Sequence, residues 1–598
     1  MSKIEIEING DTIQAEEGKT ILEVCLQEKI EIPTLCYHSD LDVAGICRIC
    51  VVEIEGWRTL QAACATPIAP GMVIKTYSDK VRRARRTILE LMLANHYGYC
   101  WTCARNQNCE LQKLAAEYGI DKALKYEPVK EPRWEIDDSS PSVVRDKNKC
   151  ILCKRCIRTC IDLQQVGVIE AKNRGHETEI VTFFDKPLAH VNCIYCGQCI
   201  NRCPTGALKA NDPADEVWKA IDDPEKFVIA HPAPSIRVSI GEPFGMPPGS
   251  RVTGKLATAL KMCGFDAVLD TNFTADLTIM EEGTEFLQRA TKALKDGDKN
   301  IKLPMVTSCS PGWIKYCEHF YPDLIGHLST CKSPQQMFGA LAKTYYAEKM
   351  NIDPKNIVTV AIMPCAAKKF EANRPEMCDS GYKDVDYGLT TRETALMIKE
   401  SGIDFIRLED SKFDKFMGES SGAADIFGAT GGVMEAAIRT VYAIVTGRNV
   451  PFDRLNVTPV RGMEGVKEAA VKLENVKPEF SFLEGFEVKV AVGHGTANAK
   501  KIMDKVRAGE AEYHFIEIMG CPGGCIGGGG QPIPTSLEIR ELRAKAIYEE
   551  DESKELRMSH ENPEITMIYK DFLGEPCGHK SHELLHTHYT PRAKYLEK

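Results

Sequence analysis

The stretch Glu517-Ile-Met-Gly-Cys521-Pro-Gly-Gly-Cys525-Ile-Gly-Gly-Gly-Gly-Gln531-Pro532 decides how the rest of the chain is interpreted. The apolar residues between 513 and 518 predict a short strand that delivers Cys521 at its carboxyl end. Because glycine has no Cβ, the glycine-rich backbone that follows can approach a bulky group closely. A zinc knuckle would need two more cysteines or histidines at short spacing, and none follow. We therefore expect the partners of Cys521 and Cys525 to come from other parts of the chain.

Two other segments have the same form. One reads Val306-Thr-Ser-Cys309-Ser310-Pro-Gly-Trp313, and the other reads Met363-Pro-Cys365-Ala-Ala-Lys368-Lys-Phe-Glu371 after the β-branched run 357–362. Three predicted strands thus each end on a cysteine, and ligands of open α/β sheets bind beyond the carboxyl ends of strands. Together the three segments resemble the active-site signatures of the [FeFe]-hydrogenases, TSCCPxW, MPCxxKxxE and ExxxCxxxCxxGGGxP, in the order of that family.

Length, charge and cysteine content narrow the class of protein. The chain has 598 residues, which predicts several domains, and a net charge of −10, which argues against a nucleic-acid partner. The N-terminus has no apolar signal region, and no uncharged apolar run is long enough to span a membrane, so we expect a cytoplasmic protein. Of 25 cysteines, sixteen precede residue 204. In a large chain without a signal, this favours metal ligation over disulfides.

Residues 1–78 are predicted to form a β-rich [2Fe-2S] ferredoxin-like domain. Its candidate ligands are Cys36, Cys47, Cys50 and Cys64, with ten, two and thirteen residues between them. The first gap is longer than in plant-type ferredoxins. It resembles the [2Fe-2S] domain of the large iron–sulfur subunit of respiratory NADH dehydrogenase. A four-cysteine zinc site is the alternative, and Cys25 is expected in the core.

Residues 79–130 begin with a basic amphipathic helix and continue into a small His/Cys3 cluster domain. The candidate ligands are His96, Cys100, Cys103 and Cys109. One histidine and three cysteines are equally typical of zinc. The segment resembles the His-ligated [4Fe-4S] site of the same two families, and imidazole in place of thiolate removes negative charge, which raises the potential.

Residues 140–209 are predicted to form a two-cluster bacterial ferredoxin domain, since a run of four cysteines recurs after 43 residues. In this pattern the fourth cysteine of each run binds the other cluster. The first [4Fe-4S] cluster is therefore assigned to Cys150, Cys153, Cys156 and Cys203. The second [4Fe-4S] cluster is assigned to Cys193, Cys196, Cys199 and Cys160.

The predicted fold class is a multidomain α+β and α/β protein. After a polar linker (131–145) and a charged connector (210–225), strands alternating with helices predict a large, mostly parallel α/β domain over 225–535, the H-cluster catalytic domain. Residues 536–598 are predicted as a small-subunit-like helical C-terminal segment. Its histidines surround Cys577, and a solvated tail is favoured over a metal site.

The resemblance implies an H-cluster, a [4Fe-4S] cubane joined through a cysteine sulfur to a di-iron unit with CO, CN and azadithiolate ligands. It assigns Cys365, Cys521 and Cys525 as ligands, with Cys525 bridging to the di-iron unit. Where the family often has two adjacent cysteines, this chain has Cys309 and Ser310. By position, Cys309 carries protons and Ser310 stands at the cubane anchor. Because serine oxygen suits soft iron–sulfur chemistry poorly, the alternative is that Cys309 anchors the cubane.

The resemblance also implies residues around the cluster. Lys368, Met363 and Met519 are expected beside the di-iron unit. The expected wall residues near its diatomic ligands are Ala233, Pro234, Ser235 and Gln335. The expected proton relay from Cys309 consists of Glu282, Ser329, Glu285 and Arg289. Glu282, Glu285 and Arg289 share one helical face, for which a solvated surface is the alternative.

The function expected from the resemblance is reversible H2 oxidation and proton reduction, with electrons carried by one [2Fe-2S] and three [4Fe-4S] clusters. Since no nucleotide-binding glycine fingerprint follows a strand, NAD and flavin are expected on other subunits. The expected partners are a flavin-bearing NADH-binding subunit, a small [2Fe-2S] subunit and ferredoxin, in an electron-bifurcating complex. No nucleic acid or membrane partner is expected. A stand-alone ferredoxin-dependent hydrogenase and, less favoured, a H2 sensor are the alternatives.

Overall fold

The computed structural model describes residues 2–120, 125–452, 454–455, 458–459 and 465–593. The described chain forms two compact units. The first contains Met1–Leu163, Gly167–Ala189 and Arg202–Lys209, and the second contains Gln164–Val166, His190–Asn201 and Ala210–Lys598. The second cysteine run of the ferredoxin repeat is therefore divided: Cys193, Cys196 and Cys199 belong to the larger unit, whereas Cys203 belongs to the first.

The first unit opens with a five-stranded sheet in the order β2-β1-β5-β3-β4. Its strands are β1 (Lys3–Ile8), β2 (Asp11–Glu16), β3 (Val51–Ile54), β4 (Gln61–Ala62) and β5 (Val73–Lys75). Thr20 caps α1 (Ile21–Gln27) in a capping box with Glu23, and this helix buries Cys25 in the sheet's core as expected. The unit continues with α2 (Asp79–Asn95) and α3 (Glu110–Glu117), whose Leu89 and Leu111 share a smaller core.

The cysteine repeat adds short elements. They are β6 (Val143–Arg145), α4 (Arg155–Arg158), β7 (Ile169–Lys172), β8 (Glu179–Thr182), α5 (Gln198–Arg202) and β9 (Leu208–Ala210). Strands β7 and β8 form an antiparallel hairpin, and β6 pairs with β9. The polar stretch predicted as a linker is partly folded, because Ser140 and Ser142 are fully buried ahead of β6.

The second unit contains two sheets. The first, in the order β11-β10-β13-β14, is entirely parallel and consists of β10 (Phe227–Pro232), β11 (Ala267–Val268), β13 (Ile357–Met363) and β14 (Tyr387–Thr390). The second has the order β12-β18-β17-β16-β15. Its strands are β12 (Met305–Val306), β15 (Thr458–Pro459), β16 (Val466–Lys472), β17 (Glu487–His494) and β18 (Phe515–Met519). Here β12, β18 and β17 are parallel, and β16 pairs antiparallel with both β17 and β15. The single parallel sheet predicted from the sequence is therefore two sheets, and only the first is entirely parallel.

Helices surround these sheets. They are α6 (Ala214–Ile221), α7 (Thr253–Met262), α8 (Thr271–Ala290), α9 (Pro311–Phe320), α10 (Pro334–Leu341), α11 (Ala347–Met350), α12 (Ala367–Glu371), α13 (Thr391–Glu400), α14 (Gly422–Asp425), α15 (Gly432–Thr446), α16 (Thr496–Ala508), α17 (Leu537–Ser553), α18 (Pro563–Ile568) and α19 (His579–Leu585). The central helices α8 and α15 are buried along nearly their whole length and contribute to the largest core.

Two further segments differ from the sequence-based expectation. The connector 210–225 contains α6, because Val217 is buried in the core of the parallel sheet. The C-terminal tail is packed rather than solvated: Leu584 and Leu585 join the core around α10, and the Lys332 N–H donates to the Leu585 carbonyl at 2.8 Å. Apolar residues spaced among the tail's charges therefore decide its position.

Candidate cluster sites and catalytic cavity

The [2Fe-2S] candidates lie together in the first unit. Cys36, Cys50 and Cys64 are each about 1 % exposed, and the sulfurs of Cys50 and Cys64 are 3.4 Å apart. Cys36 forms thiol contacts with both Cys47 and Cys64. The donor set therefore fits a cluster held by four thiolates.

The His/Cys3 candidates surround one small cavity. It is lined by His96, Cys100, Cys103 and Cys109 together with Gly206. The Nδ1 atom of His96 is buried and has no hydrogen-bond partner among the described residues, as suits a ligand nitrogen. A Cβ on Gly206 would stand 2.3 Å from the Cys103 sulfur. Glycine is thus required here to leave room for that sulfur.

The four cysteines assigned to the first [4Fe-4S] cluster, three from the first run and one from the second, lie together. Cys150, Cys153, Cys156 and Cys203 line a common cavity. Cys160 lies in the first unit, whereas Cys193, Cys196 and Cys199 lie in the second.

The residues around Cys199 are tied to the glycine-rich stretch. The Gln198 side-chain amide donates to the Gly527 carbonyl at 2.9 Å, and the Asn201 amide donates to the Gly528 carbonyl at 2.8 Å. A Cβ on Gly529 would stand 2.1 Å from the Cys196 carbonyl oxygen. These contacts hold the second cysteine run against the stretch that carries Cys521 and Cys525.

The catalytic candidates meet at the carboxyl ends of strands from both sheets. Strand β10 leads to Ala233, β12 to Cys309 and Ser310, β13 to Cys365, and β18 to Cys521. They surround a cavity whose unfilled space, including the part open to solvent, is about 680 Å³. The lining residues include Ala233, Pro234, Cys309, Ser310, Gln335, Met363, Cys365, Lys368, Phe427, Met519, Cys521 and Cys525. Ser235 is fully buried behind this wall and accepts a hydrogen bond from Gln531.

The glycines of the last motif permit the cavity's shape. Gly524 has a φ of +91°, and a Cβ there would stand 2.7 Å from the Thr430 nitrogen. A Cβ on Gly528 would stand 2.2 Å from the Pro364 carbonyl, next to Cys365. The two cysteine-bearing loops can approach each other only because these side chains are absent.

The cavity's donor set fits an iron–sulfur group. Cys365 and Cys521 share a thiol hydrogen bond, which lowers the pKa of Cys365 and raises that of Cys521. Cys525 completes three sulfurs in a lining that is otherwise mainly apolar. Soft thiolate donors of this kind bind iron–sulfur clusters.

Ser310 and Cys309 make different contacts. The Ser310 hydroxyl accepts from the Gly520 N–H at 3.1 Å, beside Cys521. Burial raises the pKa of the Cys309 thiol far above its usual range, and the charge of Glu282 contributes next. Lys368 donates to the Cys309 carbonyl at 3.1 Å and to Glu371 at 2.8 Å. Ser310 thus lies beside Cys521, whereas Cys309 lies within electrostatic range of both Glu282 on α8 and Cys525.

The acidic face of α8 is buried, contrary to the solvated alternative. Glu282 is 1 % and Glu285 7 % exposed. Burial and the charge of Glu285 raise the pKa of Glu282 to about 8. Glu285 accepts from the Ser329 hydroxyl at 2.8 Å and pairs with Arg289 at 2.7 Å. The series runs from the cavity side of the helix toward partly exposed Arg289.

Two acids near the site were missed as functional candidates. Glu517 accepts from the N–H groups of Gly431 and Met434 at 2.7 Å each, at the start of α15, and burial raises its pKa to about 7. Its position at the head of the third signature could have identified it. Glu281 bonds to Tyr569 and to His586, which no local pattern indicates.

Family models match the whole series of domains. They describe a 2Fe-2S iron–sulfur cluster binding domain (1–79), an NADH-ubiquinone oxidoreductase-G iron–sulfur binding region (85–123), a ferredoxin-like domain of NADH-quinone oxidoreductase subunit 3 (140–209), the C-terminal domain of the iron-only hydrogenase large subunit (226–529) and the iron hydrogenase small subunit (537–592). The chain therefore carries iron–sulfur domains ahead of a hydrogenase domain. Among the described residues, no helix combines the length and apolar character needed to cross a bilayer.

Individual relatives agree. The NADP-reducing hydrogenase subunit HndD of Solidesulfovibrio fructosivorans is 47 % identical, with 99 % of this chain and all of the relative covered. Iron hydrogenase 1 of Clostridium pasteurianum is 42 % identical, with 97 % and 99 % covered. A solved structure of apo [FeFe]-hydrogenase HydA1 from Chlamydomonas reinhardtii is 45 % identical with a TM-score of 0.58, covering 64 % of this chain and all of that one. With these matches and a cysteine-lined cavity that fits the cofactor, the chain belongs to the iron-only, or [FeFe], hydrogenase family.

Proposed function

We propose that the chain is the catalytic subunit of a cytoplasmic, multi-subunit hydrogenase that couples H2 to NAD(P) and ferredoxin. The observation that carries the proposal is the convergence of Cys365, Cys521 and Cys525 on one buried cavity, in a chain that also contains several cluster-type donor sets. Cluster sites in the same chain provide a route for electrons to leave a buried catalytic centre.

In this proposal Cys365, Cys521 and Cys525 would hold the H-cluster in the cavity that they line. The bound cofactor supplies the iron centre at which H2 is split or formed. The protein orients the cofactor and excludes water: Met363, Met519 and Phe427 line the cavity with apolar surface. Lys368, held by Glu371 and the Cys309 carbonyl, offers a positive charge at the lining.

We assign proton transfer to Cys309 and the cubane position to Ser310. Support comes from the Ser310 hydroxyl, which lies beside Gly520 and Cys521, and from the effect of the Glu282 charge on Cys309. A hydroxyl at the cubane position is a harder donor than thiolate. This part of the site therefore departs from the family's double cysteine.

The proposed relay runs from Cys309 through Glu282, Ser329 and Glu285 to Arg289. The Ser329–Glu285–Arg289 portion is joined by hydrogen bonds of 2.8 and 2.7 Å. The pKa of about 8 makes Glu282 able to hold a proton at neutral pH and to release it with little cost. A buried carboxyl with these properties suits reversible proton passage.

The segment that carries Cys193, Cys196 and Cys199 bonds to the glycine-rich stretch, so a cluster held there would offer the first step of an electron route from the cavity. The other [4Fe-4S] donor sets and the [2Fe-2S] donor set would hold the clusters that connect this route to partner subunits. The partners proposed are a flavin-bearing NAD(P)-binding subunit, a small [2Fe-2S] subunit and ferredoxin. The 47 % identity to a subunit named for NADP reduction supports such partners.

The test is to purify the chain alone and with its native partners. The isolated chain should evolve H2 from reduced viologen but leave NAD(P)+ unreduced under H2. The complex should reduce NAD(P)+, and a bifurcating complex should do so only when oxidised ferredoxin is reduced at the same time. A chain that purifies without partners and exchanges electrons with ferredoxin alone would favour the stand-alone alternative.

A further inference from the structure

The packed C-terminal segment brings three metal-binding side chains together outside the catalytic cavity. Ligand atoms of Cys577, His582 and His586 all lie within 4.8 Å of one another. His582 lies on α19 and His586 directly follows it, and this four-residue spacing puts the imidazoles side by side, with ring centroids 4.2 Å apart. Cys577 reaches them from the loop before the helix, with a left-handed φ of +52°.

We propose that Cys577, His582 and His586 form a binding site for a zinc-like divalent cation. One thiolate and two imidazoles are borderline-soft donors of the kind that select Zn²⁺. At Zn–S and Zn–N lengths of about 2.3 and 2.0 Å, tetrahedral ligands stand roughly 3.5 Å apart. The three side chains need to close by only about 1 Å to reach that geometry, and water or a carboxylate can occupy the fourth position.

The surrounding charge favours a cation. Glu281 is fully buried, and one of its carboxylate oxygens accepts from the Cys577 N–H at 2.7 Å and lies 3.0 Å from the His586 Nε2. Carboxylates that orient metal-binding imidazoles are typical of zinc sites. His582 is exposed, so an ion can enter from solvent. The site thus combines three donor side chains, the nearby carboxylate of Glu281 and access from solvent through His582.

The proposed cation site also lies next to Glu285 of the proposed proton relay. His586 Nδ1 lies 2.8 Å from the Thr330 hydroxyl, a contact that it exchanges for the cation on binding while Nε2 stays with Glu281, and the Thr330 N–H donates to Glu285. A ligand atom of His586 also lies within 4.8 Å of ligand atoms of Glu285 and Cys331. Because a cation bound to His586 would lie next to Glu285 of the proposed relay, we expect it to slow proton passage. This second step rests on the proposed relay, whereas the binding site does not.

The binding test uses the cluster-loaded full chain and Zn²⁺ alone as the probe. We expect one Zn²⁺ bound per chain above the zinc already present in the untreated protein. The X-ray absorption spectrum of the bound zinc should show one sulfur ligand at about 2.3 Å and nitrogen ligands at about 2.0 Å. His582→Ala removes a solvent-exposed ligand without disturbing the core and should weaken binding at least about tenfold. Cys577→Ala should remove the sulfur neighbour. His579→Ala, exposed on the same helix but outside the cluster, is the matched control and should bind like the parent.

Iron content measured in parallel must stay constant, so that bound zinc has not replaced cluster iron. Equal zinc affinity and an unchanged sulfur neighbour in the parent, His582→Ala and Cys577→Ala would overturn the site.

The second experiment tests the link to the proton relay. Zn²⁺ should slow viologen-driven H2 evolution several-fold in the parent and in His579→Ala but not in His582→Ala, with the infrared bands of the H-cluster unchanged. Binding without slowing would overturn only the link to the relay. Failure of the proposed function would instead appear as a missing H2 activity before zinc is added.

Discussion

The cluster sites of the N-terminal unit and the catalytic cavity of the C-terminal unit are built in different ways. The donors Cys36, Cys47, Cys50 and Cys64 lie within 29 consecutive residues, and His96, Cys100, Cys103 and Cys109 within 14. The cavity instead collects side chains from the ends of β10, β12, β13 and β18, which span about 300 residues. A site of the first kind depends on local chain geometry, whereas the second exists only when two sheets are packed. Changes at each should therefore have separable effects.

The largest effect is expected from removing a cavity cysteine. Cys365→Ala and Cys521→Ala should each abolish H2 evolution from reduced viologen, because each removes a thiolate from the only group proposed to react with H2. The EPR signals of the ferredoxin-type clusters should persist. Cys378→Ala, at an exposed cysteine, is the control. Normal evolution by either cavity variant would show that the cavity is not the catalytic centre.

Cys309→Ala separates the two roles of the adjacent pair. If Cys309 carries protons, turnover should fall by about 10²–10⁴-fold while the infrared carbonyl and cyanide bands of the H-cluster stay intact. Ser310→Cys is the paired variant: it supplies a softer donor and should leave turnover in place. Loss or shift of the bands in Cys309→Ala would make Cys309 the cubane ligand instead.

Glu282→Gln should slow H2 evolution by about 10²–10⁴-fold, because an amide cannot exchange the proton that the buried carboxyl carries. In the parent, the raised pKa means that Glu282 stays protonated up to pH about 8 and loses its proton above it. The rate of H2 evolution should therefore fall above pH 8 when proton delivery is limiting. Gln288→Ala, exposed on the same helix, is the control for the helix itself. A rate in Glu282→Gln equal to the control would remove this acid from the relay.

A smaller effect is expected where the second cysteine run meets the glycine-rich stretch. In Gly529→Ala the new Cβ would stand 2.1 Å from the Cys196 carbonyl and 2.7 Å from the Gly197 Cα, so the two backbones must separate. We expect H2 evolution to fall about tenfold, since displacements near 1 Å cost up to about 10²-fold, with H-cluster infrared bands retained. Gly388→Ala is the control, because the nearest atom to its new Cβ, the Lys369 Cγ, is 3.4 Å away, an ordinary van der Waals distance. An unchanged rate would mean that this contact does not set the electron path.

The smallest expected effect is a change of potential. His96→Cys should keep a cluster in the small cavity and lower its reduction potential, because thiolate adds negative charge where imidazole had none. H2 evolution from viologen should be nearly unchanged, and redox titration followed by EPR measures the shift. If metal analysis of both the parent and the variant found zinc and no iron at this site, the His/Cys3 set would be a zinc site and not a [4Fe-4S] site.

The local cluster sites and the catalytic cavity were predicted from the sequence by different kinds of pattern. Short spacing predicted that His96, Cys100, Cys103 and Cys109 lie together, because a few residues cannot carry their side chains far apart, whereas placing Cys203 beside Cys150 needed the two-cluster repeat pattern. The strand-then-cysteine pattern predicted that Cys309, Cys365 and Cys521 converge, because strands of parallel sheets end at a common edge. The burial of Glu282 and Glu285 was left open, since helical periodicity alone does not say which face meets a core.

Sequence patterns alone predicted the family, the order of the iron–sulfur and hydrogenase segments, and the meeting of Cys309, Cys365 and Cys521. The three-dimensional fold was needed to see that two sheets, rather than one, surround the cavity and that residues 190–201 pack with the catalytic unit. It also decided that the C-terminal tail is buried and brings Cys577 and His586 to Glu281 on α8, some 300 residues earlier. The physical reason is that spacing fixes local geometry, whereas burial of scattered apolar residues such as Leu584 and Leu585 fixes where a distant segment packs.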